Sequence, residues 1–234
     1  VDIIGCIGSA AVFSVTATGS SITYQWQVSV NGGPYVDLTN SGPYSGVNTN
    51  TLTLNPATGL SNRRYRLNAS GAPCGGIITS NSALLDVKPS PVVVLTAASY
   101  SNITPFIRTT LYTTVSPQGS YTYQWFRNGV LVPNLTADRF NVTVDDLGQY
   151  DVVVTDLTSG CSSNRSNKAE VKYAESDLLF IYPNPSSGQF QVRYMSFTDN
   201  VARTLNVYDS KGARVFSKQY TTAGPYSRMD VNLD

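Results

Sequence analysis

The stretches TYQWQ (23–27) and TYQWF (122–126) repeat at a spacing of about 100 residues, and their surroundings repeat with them. Before them lie AAVFSVTATG (10–19) and TTLYTTVSPQG (109–119). After them come NTLTLNP (50–56) and RFNVTVDD (139–146), then RYRLNAS (64–70) and QYDVVVTD (149–156), then SALLDVKP (82–89) and NKAEVKYA (167–174). Each piece alternates apolar with polar residues and ends in turn formers, so side chains two apart share a face. Several such short strands in succession specify an antiparallel β-sandwich, built twice. Only 13% of residues are charged and fifteen are tyrosine, which suits pleated strands and not helices with exposed Glu/Lys faces.

The alternation assigns the interiors. In the first unit Phe13, Val15, Ala17, Tyr24, Trp26, Leu52, Leu54, Tyr65, Leu67, Leu85 and Val87 point inward. In the second Leu111, Val115, Tyr123, Trp125, Phe140, Val142, Val144, Tyr150, Val152, Val154 and Val171 do so. Each set supplies the two facing apolar layers that a sandwich of this size needs.

DDLGQYDV (145–152) places Asp146, Gly148 and Tyr150 in the register of the Asp-x-Gly-x-Tyr-x-Cys pattern, and residues 1–173 resemble the immunoglobulin-like fold. The resemblance implies that Trp26 and Trp125 are core tryptophans. Tyr65 and Tyr150 become corner tyrosines, with Leu67 and Val152 where the family's second core cysteine stands. It implies nothing about role, since this fold hosts many. In bacterial surface repeats of this kind a pair placed like Cys6 and Cys74 ties the sheet edge to a loop, so a Cys6–Cys74 disulfide is expected ahead of two buried thiols. Cys161 matches Cys74 in the second unit, lacks an equivalent partner and is expected to be unpaired.

The sandwich pattern stops before IYPNPSSGQF (181–190). Pro183 and Pro185 fix their own φ, donate no hydrogen bond and push Tyr182 and Asn184 into extended geometry. A turn follows, then a strand presenting Phe190, Val192 and Tyr194 to one side. TLNVYDSKGARVFSKQY (204–220) reads as a hairpin with Leu205 and Val207 before a turn holding Asp209 and Gly212, and Val215 after it. Residues 178–234 resemble the C-terminal sorting domain of type IX secretion. The resemblance is carried by Tyr182, Pro183, Asn184, Pro185, Gly188, Asp209 and Gly212, and by MDVNLD (229–234). It implies recognition by the translocon and its sortase, and a product secreted or anchored on the outer-membrane surface. Where the family pattern continues with two further strands this sequence stops. The region is therefore expected to have a thin core and an open edge, and to be mobile or paired with something else. A third immunoglobulin-like module cut short is the alternative for the same residues.

These readings give an all-β chain: immunoglobulin-like modules at 1–88 and 89–174 and a partial sorting domain at 175–234. No histidine is present, so Ser-His-Asp, Cys-His and His-Glu-x-x-His chemistry has no base or ligand. A net charge of +1 without a basic stripe disfavours nucleic acid, and the Arg63-Arg64 pair reads as a solvated strand end. No apolar window is long enough for a transmembrane helix, and the chain opens at Val1 within strand-like sequence, as a piece of something longer would. No catalytic residue, metal or cofactor is expected. The sequence reads as a non-enzymatic surface or secreted protein with a stalk or adhesive array. The alternatives are accessory modules of a larger secreted hydrolase and a carbohydrate-binding module. Surface glycans or other cell-surface proteins are candidate ligands, with Tyr35, Tyr44, Tyr100 and Tyr112 available to stack on sugar rings unless they pack across strands.

Overall fold

The computed structural model describes residues 1–55, 57–72, 75–97 and 101–233, and none of them is helical. The chain falls into two compact units: Val1–Val92 with Ser116–Thr122 and Val154–Asn164, and Val93–Val115 with Tyr123–Val153 and Arg165–Asp234.

The first sandwich uses β1 (Ile3–Cys6), β2 (Ala11–Ser14), β3 (Ser20–Val30), β4 (Val36–Asp37), β5 (Tyr44–Ser45), β6 (Thr51–Leu54), β7 (Arg63–Ala72), β8 (Ile77–Thr79) and β9 (Ala83–Lys88). One sheet runs β1-β9-β7-β3-β4, with β8 beside β7, and the other runs β2-β6-β5. Next come β10 (Val92–Ala97), β11 (Asn102–Ile103), β12 (Thr109–Ser116), β13 (Tyr121–Arg127), β14 (Val130–Leu131), β15 (Arg139–Val142), β16 (Gly148–Asp156) and β17 (Ala169–Tyr173). They form sheets β11-β17-β16-β13-β14, which repeats the five-strand order of the first sandwich, and β10-β12-β15, whose extra strand β10 lies on the opposite edge from β5. In both sandwiches a short strand pairs parallel with the last one, β1 with β9 and β11 with β17. The sequence reading gave neither edge strand a partner, since two to four residues carry too little alternation to fix a pairing.

The interiors follow the alternation. Trp26, Leu52, Leu54, Tyr65, Leu67 and Leu85 are buried in the first sandwich, and Leu111, Trp125, Val142, Tyr150, Val152, Val154 and Val171 in the second. Each tryptophan also satisfies its indole donor, Trp26 Nε1 to the Thr49 carbonyl at 3.0 Å and Trp125 Nε1 to the Ala137 carbonyl at 2.8 Å. A phenylalanine bridges tryptophan to tyrosine in each core: Phe13 between Trp26 and Tyr65, Phe140 between Trp125 and Tyr150. Phe13 comes from β2 and Phe140 from β15, so the ring cluster is rebuilt from different strands.

The tail uses β18 (Phe180–Tyr182), β19 (Gln189–Met195), β20 (Ala202–Tyr208), β21 (Arg214–Thr221) and β22 (Tyr226–Asn232). Its sheet β18-β19-β22 faces the β20-β21 hairpin. The buried core is Val192, Met229 and Val231, flanked by Phe190, Tyr194, Leu205, Val207, Phe216 and Tyr220. After the turn Val215 is exposed and Phe216 packs on the core. The hairpin register slips at Val207/Tyr208, which shifts the inward set by one residue.

The two corner positions differ. The Tyr150 hydroxyl donates to the Asp146 carbonyl, and burial pushes its pKa up to about 12, so it stays a donor at any physiological pH. Tyr65 is equally buried, and burial followed by nearby Tyr44 raises its pKa as well. Yet its hydroxyl makes no well-formed hydrogen bond among the described residues. The asymmetry predicts that Tyr150→Phe destabilises by about 1 kcal/mol, whereas Tyr65→Phe is neutral or stabilising. Urea unfolding of the two variants checks this, and equal losses would contradict it.

Candidate functional site

The chain enters the tail through β18, which pairs antiparallel with β19: Phe180 opposite Arg193, Ile181 opposite Val192, Tyr182 opposite Gln191. Pro183 follows the last paired residue, so neither proline removes a ladder donor. Pro183, Asn184 and Pro185 are fully on the surface, and both preceding peptide bonds are cis. Gly188 closes the excursion with a φ of +110° that favours glycine, and its carbonyl accepts from Leu233 N at 3.1 Å. Asp209 and Gly212 form the hairpin tip. Asp209 Oδ1 accepts from Lys211 N and Ala213 N at 2.9 and 2.8 Å, and Gly212 takes a left-handed φ of +80°. These motif residues are thus the joints of the tail. Beside them opens a cleft of about 460 Å³ lined by Tyr182, Pro183, Phe190, Lys218 and Asp230.

The sheet's two faces have different partners. Val192, Met229 and Val231 face the hairpin. The other face carries Phe180, Tyr182, Arg193 and Tyr226, and within the second compact unit it meets the second sandwich. Arg193, whose side chain is 5% exposed, reaches Asp145 with two parallel bonds, Nη1–Oδ1 at 2.7 Å and Nη2–Oδ2 at 2.6 Å. The Tyr226 hydroxyl donates to the Ala174 carbonyl at 2.6 Å. Phe106 stands 5.0 Å from the Tyr182 ring and 6.4 Å from Phe180, which meets Tyr226 edge-on at 5.8 Å. The sequence reading gave Asp145 no partner and Arg193 no role. The available signal was that arginine in QFQVRYM, opposite a second one, Arg228, across the ladder.

The cysteines require a correction. Cys6 is bonded to Cys161, with a Cα–Cα distance of 5.6 Å, so Cys6 is not held by Cys74 and Cys161 is not free; Cys74 lies outside the described residues. The physical reason is the pairing of β1. As an edge strand on β9 it presents Cys6 at its open end, and Val154–Asn164 folds into the same compact unit. There Cys161 is fully buried beside the Gly5 carbonyl.

The proposed sugar-stacking tyrosines are largely occupied. The Arg66 guanidinium sits 3.8 Å over the Tyr35 ring, and Tyr44 packs on the first core while its hydroxyl accepts from Arg63 at 2.8 Å. Tyr112 is partly exposed, and Tyr100 lies outside the described residues. No group of three or more metal-ligating side chains is found among the described residues, and no helix of the described chain is long and apolar enough to cross a membrane.

Residues 180–233 match the family described as the secretion system C-terminal sorting domain. No curated protein matches the chain. Among solved structures, the N-terminal four Ig domains of a Dscam1 isoform align with a TM-score of 0.35 at 16% identity over 74% of this chain. The chain spans 43% of that structure's length. The titin I-band fragment I67–I69 aligns at 0.37 and 15% identity, covering 100% of this chain and 86% of that one. The chain thus carries a C-terminal sorting domain behind two β-sandwiches, and the protein is secreted or held at the outer-membrane surface.

Two predictions follow from this geometry. Non-reducing peptide mapping should link Cys6 to Cys161, and Cys161→Ser should lose up to about 5 kcal/mol, the chain-entropy ceiling for so long a loop; a Cys6–Cys74 link would contradict the assignment. The Arg193 guanidinium, through its hydrogen bonds, holds the Asp145 carboxyl below its usual range, with Arg228 adding to it. A depressed carboxylate stabilises fully above its ordinary pKa of about 4 and loses that contribution as pH falls through the folded value. The tail's amide protection should therefore weaken on acidification below about pH 4, and the Asp145→Asn variant should show a flatter profile. Identical acid profiles would count against the pair.

Proposed function

We propose that this is a non-enzymatic protein of three parts: sandwiches at 1–88 and 89–174 that act as a stalk and adhesive array, and a tail at 175–234 that addresses them to the type IX translocon and sortase. The single observation that carries the reading is the sorting-domain match over 180–233, immediately behind two sandwiches whose interiors are closed by Trp26 and Trp125. Three features support the non-catalytic part. The sequence offers no imidazole for base or metal chemistry. Some outward polar side chains of the first sandwich pair with one another, as in Gln27 with Asp37 at 2.7 Å and Thr23 with Ser70 at 2.9 Å. The Asp145–Asp146 neighbours are used structurally, by Arg193 and Arg127 respectively.

The adhesive role rests on the surface the sandwiches present. Edge strands β8 and β14 carry Ile77, Ile78, Val130 and Leu131 exposed, which are apolar contacts a partner protein can cover. Against sugar recognition, Tyr35 and Tyr44 are engaged by the chain's own arginines.

The test is deletion of 180–233 from the protein in its native host. The expected result is loss from the cell surface and medium, with folded protein accumulating in the periplasm. Undiminished surface display of the deleted form would refute the sorting role, and hydrolytic activity in purified 1–174 would refute the non-enzymatic one.

A further inference from the structure

A side chain on the outer face of a three-stranded sheet belongs in water, and an arginine most of all. Arg193 is on that face and is nonetheless 4% exposed as a residue. Its neighbour in the ladder is Phe180, and Tyr226, also nearly buried, is on the same side. The tail sheet is therefore covered on both faces, by its own hairpin on one and by the second sandwich on the other. The cover is made at a few points: Asp145 on the guanidinium, Phe106 on the rings and the Ala174 carbonyl on the Tyr226 hydroxyl. Beside the ion pair lies an open cleft of about 370 Å³, lined by Val144, Leu147, Pro225 and Arg228.

The connecting segment takes little part. Leu178 and Leu179 are 67% and 59% exposed, and Glu175 and Asp177 are exposed too. The contacts that hold the tail lie on either side of this segment and do not run through it.

We propose that the second sandwich is the tail's own receptor: Asp145 and Phe106 hold the sorting domain docked, and the docking outlasts a cut in the segment that joins them. The label is then handed over by opening a latch, and severing the peptide alone does not release it. Charge pairing with two short parallel bonds gives the contact geometric specificity, and its half-exposed carboxylate makes it sensitive to salt and to competition by another carboxylate. The inference goes beyond the sorting reading and stands apart from it, because its readout is retention and not export.

The experiment inserts a specific protease site between Glu175 and Leu179 of the full chain, cleaves to completion and runs gel filtration at low salt. The expected result is co-elution of the two pieces. Asp145→Arg should raise the released fraction at least tenfold, and the double swap D145R/R193D should restore retention. Separation of the cleaved wild-type pieces overturns the proposal, as does undiminished retention in D145R. Tryptophan fluorescence reports whether D145R still folds through Trp125. If it does not, Phe106→Ala, a change at an exposed loop ring, must by itself raise release severalfold, and no change there overturns the proposal as well.

Discussion

Among the described residues of the tail, Val192, Met229 and Val231 form the buried apolar cluster between sheet and hairpin. Everything about that domain follows from so small a core. The second face of the sheet adds further support. The Arg193–Asp145 pair and the Phe106–Phe180–Tyr182–Tyr226 ring cluster are that support. A buried guanidinium without its carboxylate would be costly, so the pair also fixes the orientation in which the tail can dock.

The sandwiches solve the same problem differently. Each closes two full apolar layers over a tryptophan with a satisfied indole, so each can do without the core disulfide of its fold class. Leu67 and Val152 fill the cysteine positions and are buried. The one described disulfide sits at the end of an edge strand, where it closes a long loop and fastens Cys161 into the first compact unit. Covalent chemistry is thus spent on holding distant segments together, and packing alone secures each interior.

Much of this was legible in the sequence because strand faces have period two. Trp26, Leu52, Leu67, Trp125, Val142 and Val152 announce their burial by position alone, and the two tryptophans announce the repeat. The proline motif marked the tail's start, and Asp209 and Gly212 its hairpin tip, because turn chemistry is local. What stayed hidden was set by partners far away in the chain. Arg193 and Asp145 are 48 residues apart, and each looks like an ordinary surface charge until the other is placed. Cys6 and Cys161, separated by 155 residues, are joined through an edge strand too short to carry a pattern. Phe216, and not Val215, packs on the core because a single-residue slip in a hairpin reverses every face beyond it.

The account's central claim is that the tail is a cooperative unit of its own, docked on the second sandwich and not fused with it. Native-state hydrogen exchange of the intact chain along a denaturant series measures this directly. The account predicts that amides in Gln189–Met195 and Tyr226–Asn232 open together at a lower denaturant concentration than those in Tyr123–Arg127 and Gly148–Val153. A single opening transition shared by all four segments would mean one continuous folded body and would contradict it.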